Sequence, residues 1–389
     1  MGKNRIAIVD QEKCKPTKCK RECISFCPPQ SNGREVIKIV DIEEIGKLQT
    51  KPTDKKTIAQ IVESTCVGCN ICVKKCPFGA ISIINLPYEN KADIIHRYGP
   101  NGFRLYKLPV LKKNCVMGFI GPNGVGKTTL VNILSGNLIP NFESDIKSEK
   151  AKIPSKFRGT VLYDYLRDLY GNKLKISIKP QKVKSLSGNL TVKNFLGEKT
   201  SENVISQLEL AQLFDKQLNV LSGGELQRVL CAQVISSDSN VYIFDEPSNY
   251  LDIKQRLAVT KLIRELAKPN TYVMVIDHDL SMLDYIADEI YILFGKPGAY
   301  GIVSKPLTPL EGINMYLSGY ISSQNIRFRD EEFNLKPTTE VCSETSINLV
   351  SNNFLETNTV NIIKYPEHQI IYPGFKLNIP EGTIKLESL

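Results

Sequence analysis

Apolar residues in this chain fall into short runs separated by polar stretches. Cys115-Val-Met-Gly-Phe-Ile120 reads as a buried strand, and Leu130-Val-Asn-Ile-Leu134 as the helix that follows it. Val241-Tyr-Ile-Phe-Asp245 and Thr271-Tyr-Val-Met-Val-Ile-Asp277 are two further apolar strands, each ending on a carboxylate. Val161 to Tyr170 has helical apolar spacing and is ended by Gly171-Asn172, and a second helix is expected over Glu225 to Ile235. Such strands belong to an open α/β sheet, which binds its ligand at the C-terminal ends of the strands. No apolar run approaches the roughly 20 residues needed to span a bilayer. The patch at Ile6-Ala-Ile-Val9 is far too short for a signal peptide, so a soluble, intracellular (cytoplasmic) protein is expected.

Between the first strand and its helix lies Gly121-Pro-Asn123-Gly124-Val-Gly126-Lys127-Thr128-Thr129, which fits the phosphate-loop pattern G-x-x-x-x-G-K-[ST]. Its glycines let backbone N–H groups turn inward on a phosphate, and the helix N-terminus adds a favourable dipole. Lys127 would reach the β- and γ-phosphates, and the Thr128 hydroxyl would ligate Mg²⁺. Alone, the pattern could be a glycine turn before any helix; the flanking strand and helix favour nucleotide.

Four more pieces supply the expected chemistry. Asp245 is suited to hold Mg²⁺ through water, and Glu246 to orient or deprotonate the attacking water. His278 could contact the γ-phosphate, and Gln181, after Ile178-Lys179-Pro180, could approach the metal from a loop. Ser222-Gly223-Gly224 opens a helix and makes a second anion-binding N-terminus. Taken singly, an Asp-Glu pair is also a helix cap and a lone histidine is usually structural. Tyr98 and Phe103 could stack on adenine, or simply be core.

The chain has eleven cysteines, and eight fall into two tight runs. The first is Cys14-x₄-Cys19-x₃-Cys23-x₃-Cys27-Pro28, and the second is Cys66-x₂-Cys69-x₂-Cys72-x₃-Cys76-Pro77. The second has the bacterial ferredoxin spacing for a [4Fe–4S] cluster, in which the cysteine before proline ligates the other cluster. One cluster is therefore assigned Cys66, Cys69, Cys72 and Cys27, and the other Cys14, Cys19, Cys23 and Cys76. Zinc is the alternative, but it explains neither the three close cysteines nor the Cys-Pro endings. Residues 31–60 are polar, and Lys51 to Lys56 reads as an exposed loop. The net charge of +9 permits a polyanionic partner such as RNA without requiring one. The basic segment 141–176 reads either as a solvated helical hairpin or as an RNA-facing contact.

The ordered set of phosphate loop, Gln181, Leu221-Ser-Gly-Gly-Glu225, Asp245-Glu246, Leu251-Asp252 and His278 resembles that of the ATP-binding-cassette (ABC) ATPases. With the two cysteine runs added, the chain is similar to subfamily E, the RNase L inhibitor family of ribosome recycling. Lys13-Cys14-Lys15-Pro16, Pro77-Phe78-Gly79-Ala80-Ile81, His96-Arg97-Tyr98 and Arg327-Phe-Arg-Asp330 carry the likeness. The resemblance implies a small α+β ferredoxin-like domain with two [4Fe–4S] clusters over 1–85. It further implies an ABC nucleotide domain over 86–315, with a helix–loop–helix insertion at 141–176 touching the small ribosomal subunit and its rRNA, and a hinge over 316–335. Tyr98 and Phe103 then match adenine-stacking aromatics. ATP-driven subunit splitting after termination is implied, with termination and initiation factors as further partners. Residues 336–389, where Phe375-Lys376-Leu377 echoes Phe103-Arg104-Leu105, would be the opening strands of a second nucleotide domain, poorly ordered or loosely docked.

Cassette ATPases hydrolyse ATP head to tail, so Ser222 to Gly224 would face a second nucleotide. A chain with one cassette should bind Mg-ATP but turn it over slowly unless it self-associates. Two other classes stay open: an ATP-coupled iron–sulfur electron-transfer protein, and a non-catalytic ribosome-binding module. A transporter ATPase has no place for the cysteine domain.

Overall fold

The computed structural model describes residues 5–41, 57–85, 93–99, 101–142, 150–179, 190–197, 200–333, 362–372 and 375–385. The exposed loop expected at Lys51 to Lys56 lies outside them. The chain divides into two units, Met1–Asn334 and Leu335–Leu389.

The described residues of the N-terminal part of the first unit form four strands: β1 (Arg5–Val9), β2 (Ile37–Asp41), β3 (Thr57–Ile61) and β4 (Ile81–Asn85). β1 pairs antiparallel with β4, and β2 with β3. Three helices of four or five residues, α1 (Glu22–Ser25), α2 (Pro28–Ser31) and α3 (Ile71–Lys75), lie in the two cysteine runs. Alternate residues of β1 face opposite ways, as the strand period requires. Ala7 and Val9 join a core with Cys14, Cys23, Cys27 and Cys72, whereas Ile6 and Ile8 join the large core of the neighbouring sheet.

That sheet has eight strands: β5 (Ile94–Arg97), β6 (Arg104–Tyr106), β7 (Val116–Ile120), β8 (Ile176–Lys179), β9 (Val241–Asp245), β10 (Tyr272–Ile276), β11 (Glu289–Lys296) and β12 (Tyr300–Val303). Their spatial order is β5-β6-β12-β11-β7-β10-β9-β8. The run from β11 through β7, β10 and β9 to β8 is parallel, while β12 pairs antiparallel with β11. Every residue of β7, β9 and β10 is buried, because helices cover both faces of the sheet.

On one face lie α4 (Lys127–Leu134) and α5 (Leu162–Tyr170), with Met117, Phe119, Met274 and Ile276 beneath them. On the other lie α6 (Val192–Leu196), α7 (Glu202–Gln207), α8 (Gly223–Ile235), α9 (Ile253–Arg264), α10 (Leu280–Ile286) and α11 (Pro309–Ser318). The sheet thus brings the ends of β7, β8, β9 and β10 to one edge, where the phosphate loop begins.

The expected helix–loop–helix insertion is described at 141–142 and 150–176. Its described residues form two short 3₁₀ turns at Lys150–Lys152 and Pro154–Phe157, and then α5. Pro154 sets φ for such a turn and leaves no room for a longer helix before it. α5 buries Leu162, Tyr165, Leu166 and Leu169, one stripe of its surface. The Tyr165 hydroxyl donates to the Leu134 carbonyl at 2.6 Å, tying the insertion to the end of α4.

Past α11, Tyr320–Ile321 pairs with Ile326–Arg327, and the Arg329 guanidinium donates to the Tyr316 carbonyl at 2.7 Å. In the second unit Ile362–Tyr365 pairs antiparallel with Gly382–Lys385, and His368–Tyr372 with Phe375–Ile379.

Candidate functional site

Gly126 ends the phosphate loop at φ 96°, in the left-handed region that lets the chain turn from β7 into α4. A Cβ there would lie 2.5 Å from the Phe103 ring. The pocket in front of the loop has a volume of about 700 Å³ and is lined by Tyr98, Phe103, Asn123, Gly124, Gly126, Lys127, Thr128, Thr129, Asp245, Glu246 and Gly298. The Tyr98 hydroxyl is 3.3 Å from Thr129 Oγ1, and the Tyr98 and Phe103 rings are 6.4 Å apart at the same wall. Behind the loop, Gly301 on β12 passes so close that a Cβ would sit 1.9 Å from the Val125 carbonyl oxygen.

Lys127 is buried, and its three N–H groups meet three acceptors: the Gly121 carbonyl at 2.8 Å, Asn123 Oδ1 at 3.3 Å and His278 Nε2 at 2.6 Å. His278 therefore presents a lone pair at Nε2 and carries its proton on Nδ1. Burial first, and then Lys127, lowers the His278 pKa, so its 3.4 Å approach to Glu246 Oε1 is not an ion pair at neutral pH. Burial also lowers the Lys127 pKa, while Glu246, Asp245 and Asp277 oppose that shift. Asp245 is pushed up by burial and by Glu246 beside it, with Lys179 and Lys127 pulling it back.

Glu246 follows β9 at φ 50°. Its Oε2 accepts from Asn249 Nδ2 at 2.7 Å, and its backbone N–H donates to the Ile276 carbonyl at 2.7 Å. Asp277, 1% exposed, accepts from Ser248 N–H and Oγ–H, from His278 N–H and from Asp279 N–H, at 2.7 to 3.1 Å. It staples the turn after Glu246 to the turn that carries His278. Sequence reading had no role for Asp277, Asn249, Gln227 or Lys179; for Asp277 and Lys179 the one available signal was a charged residue at the end of a strand, and Asn249 and Gln227 offered none.

Ser222, Gly223 and Gly224 do not line this pocket. α8 begins at Gly223, two residues earlier than expected, because Ser222 Oγ accepts from Glu225 N–H at 3.3 Å while Glu225 Oε2 accepts from Ser222 N–H at 2.8 Å. This reciprocal cap satisfies two helix-end donors. Lys216, and then the Ser222 backbone, hold the Glu225 carboxyl down at about 2. Ser222 and Gly223 are exposed. Gln181 lies outside the described residues.

The eight run cysteines gather into two cavities. Cys14, Cys19, Cys23 and Cys76 line one of about 370 Å³ with Pro77 and Phe78; Cys27, Cys66, Cys69 and Cys72 line another of about 300 Å³. Burial and the three other thiols of its cavity push Cys23 up to about 12; the same causes push Cys72 to about 11. Thiolates this crowded need metal charge to be stable. Among the described residues no three His, Cys, Asp or Glu side chains close on a single ion. Thiols ringing a space suit a multi-iron cluster, with one thiolate to each iron, so the donor sets fit the group.

Among the described residues no helix is long and apolar enough to cross a membrane. The family model described as ABC transporter matches residues 110–249. The model for a possible Fer4-like domain in RNase L inhibitor matches 5–35, and the 4Fe-4S binding domain matches 59–82. Translation initiation factor rli1 of Schizosaccharomyces pombe is 39% identical, over 97% of this chain and 61% of that protein. The structure described as a model of ribosome-bound archaeal Pelota and ABCE1 superposes with a TM-score of 0.80 at 40% identity, over 98% of this chain and 61% of that one. A crystal structure of archaeal ribosomal stalk protein aP1 with the archaeal ribosome recycling factor aABCE1 gives 0.65 at 37%, over 77% and 56%. The chain spans about three fifths of the length of these relatives. An iron–sulfur segment followed by an ABC nucleotide-binding segment, with this likeness running almost end to end, places the chain in the RNase L inhibitor family.

Proposed function

We propose that this chain is the cluster-bearing, first-cassette portion of a ribosome-recycling ATPase, and that its 700 Å³ pocket binds Mg-ATP. One observation carries the reading: Lys127 Nζ, His278 Nε2 and Glu246 Oε1 meet at the phosphate loop, at 2.6 and 3.4 Å, in the unit that also gathers eight thiols into two fours. Tyr98 and Phe103 form the wall for adenine. Loop N–H groups and Lys127 take the phosphates, while Thr128, Gln181 and, through water, Asp245 hold Mg²⁺. When bound, Mg²⁺ neutralises charge on the phosphate oxygens.

Glu246 accepts a proton from the attacking water, and Asn249 fixes that carboxylate. Neutral His278 is held by the Lys127 ammonium, where it can meet the γ-phosphate. Ser222 to Gly224 stand outside the pocket and serve a nucleotide carried by another cassette, so one cassette alone hydrolyses slowly. The cysteine sets Cys14, Cys19, Cys23, Cys76 and Cys27, Cys66, Cys69, Cys72 each hold a [4Fe–4S] cluster. When bound, a cluster supplies the cross-link between the two cysteine runs. The basic insertion faces rRNA of the small subunit, with termination and initiation factors as further partners and the cytoplasm as the working compartment.

The test is co-sedimentation with purified small ribosomal subunits, with and without a non-hydrolysable ATP analogue, beside iron and acid-labile sulfide assays. Binding that strengthens with the analogue, and iron with sulfide in the pure chain, are expected. Absence of both iron and nucleotide-dependent binding would overturn the reading.

A further inference from the structure

Lys179 ends β8 and is 2% exposed, in a site already crowded with charge. A lysine is almost never buried this deeply unless its ammonium is paired. Its hydrogen bonds run to backbone: Nζ donates to the Asp245 carbonyl at 2.7 Å and to the Glu246 carbonyl at 3.3 Å. The Glu246 carbonyl also accepts from Gln227 Nε2 at 2.7 Å, and Gln227 reaches the Pro247 carbonyl at 3.1 Å. Gln227 is itself buried.

These bonds converge on one turn. Glu246 sits at φ 50°, a conformation that costs a residue with a Cβ and persists only when its surroundings impose it. Ile276 fixes the Glu246 amide from one side, and Lys179 and Gln227 fix its carbonyl from the other. That geometry sends the side chain toward His278 and Asn249. Burial lowers the Lys179 pKa, while Cys231, Asp245, Glu246 and Asp277 nearby oppose that shift.

We propose that Lys179, helped by Gln227, is a positioning residue for hydrolysis: it clamps the Asp245–Glu246 backbone in its left-handed turn and thereby aims the Glu246 carboxylate. It lines no part of the nucleotide pocket, so binding should not depend on it. The proposal rests on the ATPase reading above.

The full 389-residue chain is compared with Lys179→Met, Gln227→Leu and, as a control on an exposed lysine paired with Glu289, Lys112→Met. Three quantities are read: affinity for Mg-ATP carrying a fluorescent ribose label, single-turnover hydrolysis, and deuterium exchange in peptides spanning 241–251. For Lys179→Met, affinity within about threefold of wild type is expected, with hydrolysis down about 100-fold, the scale of a misplaced catalytic group. Exchange at the Glu246 amide should accelerate about tenfold or more, while Lys112→Met changes nothing. Equal loss of affinity and hydrolysis, or unchanged exchange, overturns the proposal. Should Lys179→Met fail to fold, Gln227→Leu must move hydrolysis and exchange the same way, and its failure to do so is equally decisive. A wild-type chain that ignores Mg-ATP sinks the ATPase reading instead, while exchange still judges the clamp.

Discussion

Asn101 stands between the nucleotide pocket and the cysteine module, and its removal has a calculable cost. It is 7% exposed, and its side chain makes three hydrogen bonds: Oδ1 accepts from Ile61 N–H at 2.7 Å, and Nδ2 donates to the carbonyls of Ala7 at 3.1 Å and Ile61 at 3.0 Å. The pattern fixes which amide atom is oxygen, since one side faces a donor and the other two acceptors. At about 1 kcal/mol net per bond, Asn101→Ala should cost about 3 kcal/mol. That is a floor, because Ile61 stays buried with its N–H stranded. The assay is native-state amide exchange on peptides covering β1 and β3, where about 3 kcal/mol is a loss of protection of about 150-fold. Asn101→Asp keeps the acceptor for Ile61 but replaces the Nδ2 amino group, with its two N–H donors, by one oxygen facing two carbonyls, and it buries a charge. It should be at least as damaging. Protection within about threefold of wild type in Asn101→Ala, or a milder effect from Asp than from Ala, would refute the reasoning.

Three further outcomes are expected. Glu246→Gln should leave Mg-ATP affinity nearly unchanged and slow hydrolysis by about 100-fold or more, the range for losing a general base; rapid quench of a single turnover measures it. Cys76→Ser should bleach the cluster of the first cysteine run, and Cys27→Ser that of the second, each removing about four irons per chain; loss of the same-run cluster would contradict the crossed assignment. His96 is buried, and burial lowers its imidazole from 6.5 to about 4. Between those values the unfolded chain binds a proton that the folded chain refuses. Stability is therefore full above about pH 6.5 and falls by up to about 3 kcal/mol as pH drops toward 4. His96→Gln should flatten this slope in urea unfolding, and an unchanged slope would count against it.

Much of this was readable from the residues because each signal was local. The run Val116 to Ile120 and the glycine loop after it set a strand, a turn and a helix within twenty residues. The Cys-Pro endings implied crossed cysteine sets, and the two cavities group the thiols in the same fours. What was hidden depends on pairs distant in sequence. Asn101, read with Gly102, is an ordinary turn signal; its partners Ala7 and Ile61 lie 94 and 40 residues away. Lys179 resembles any polar residue closing a strand until β9 places two carbonyls over it. Asp277 reads only as a carboxylate ending an apolar strand, yet four donors converge on it. The start of α8 was set two residues late because the reciprocal Ser222–Glu225 bonds draw Gly223 and Gly224 into the helix.

The narrow gap behind the phosphate loop has a consequence for how variation in this family should be interpreted. Gly301 is not part of the pocket lining, yet even an alanine methyl there would overlap the Val125 carbonyl oxygen in the phosphate loop. A saturation scan would rank it among the least tolerant positions, beside Lys127, and a ranking by tolerance alone would mistake a wall for a working part.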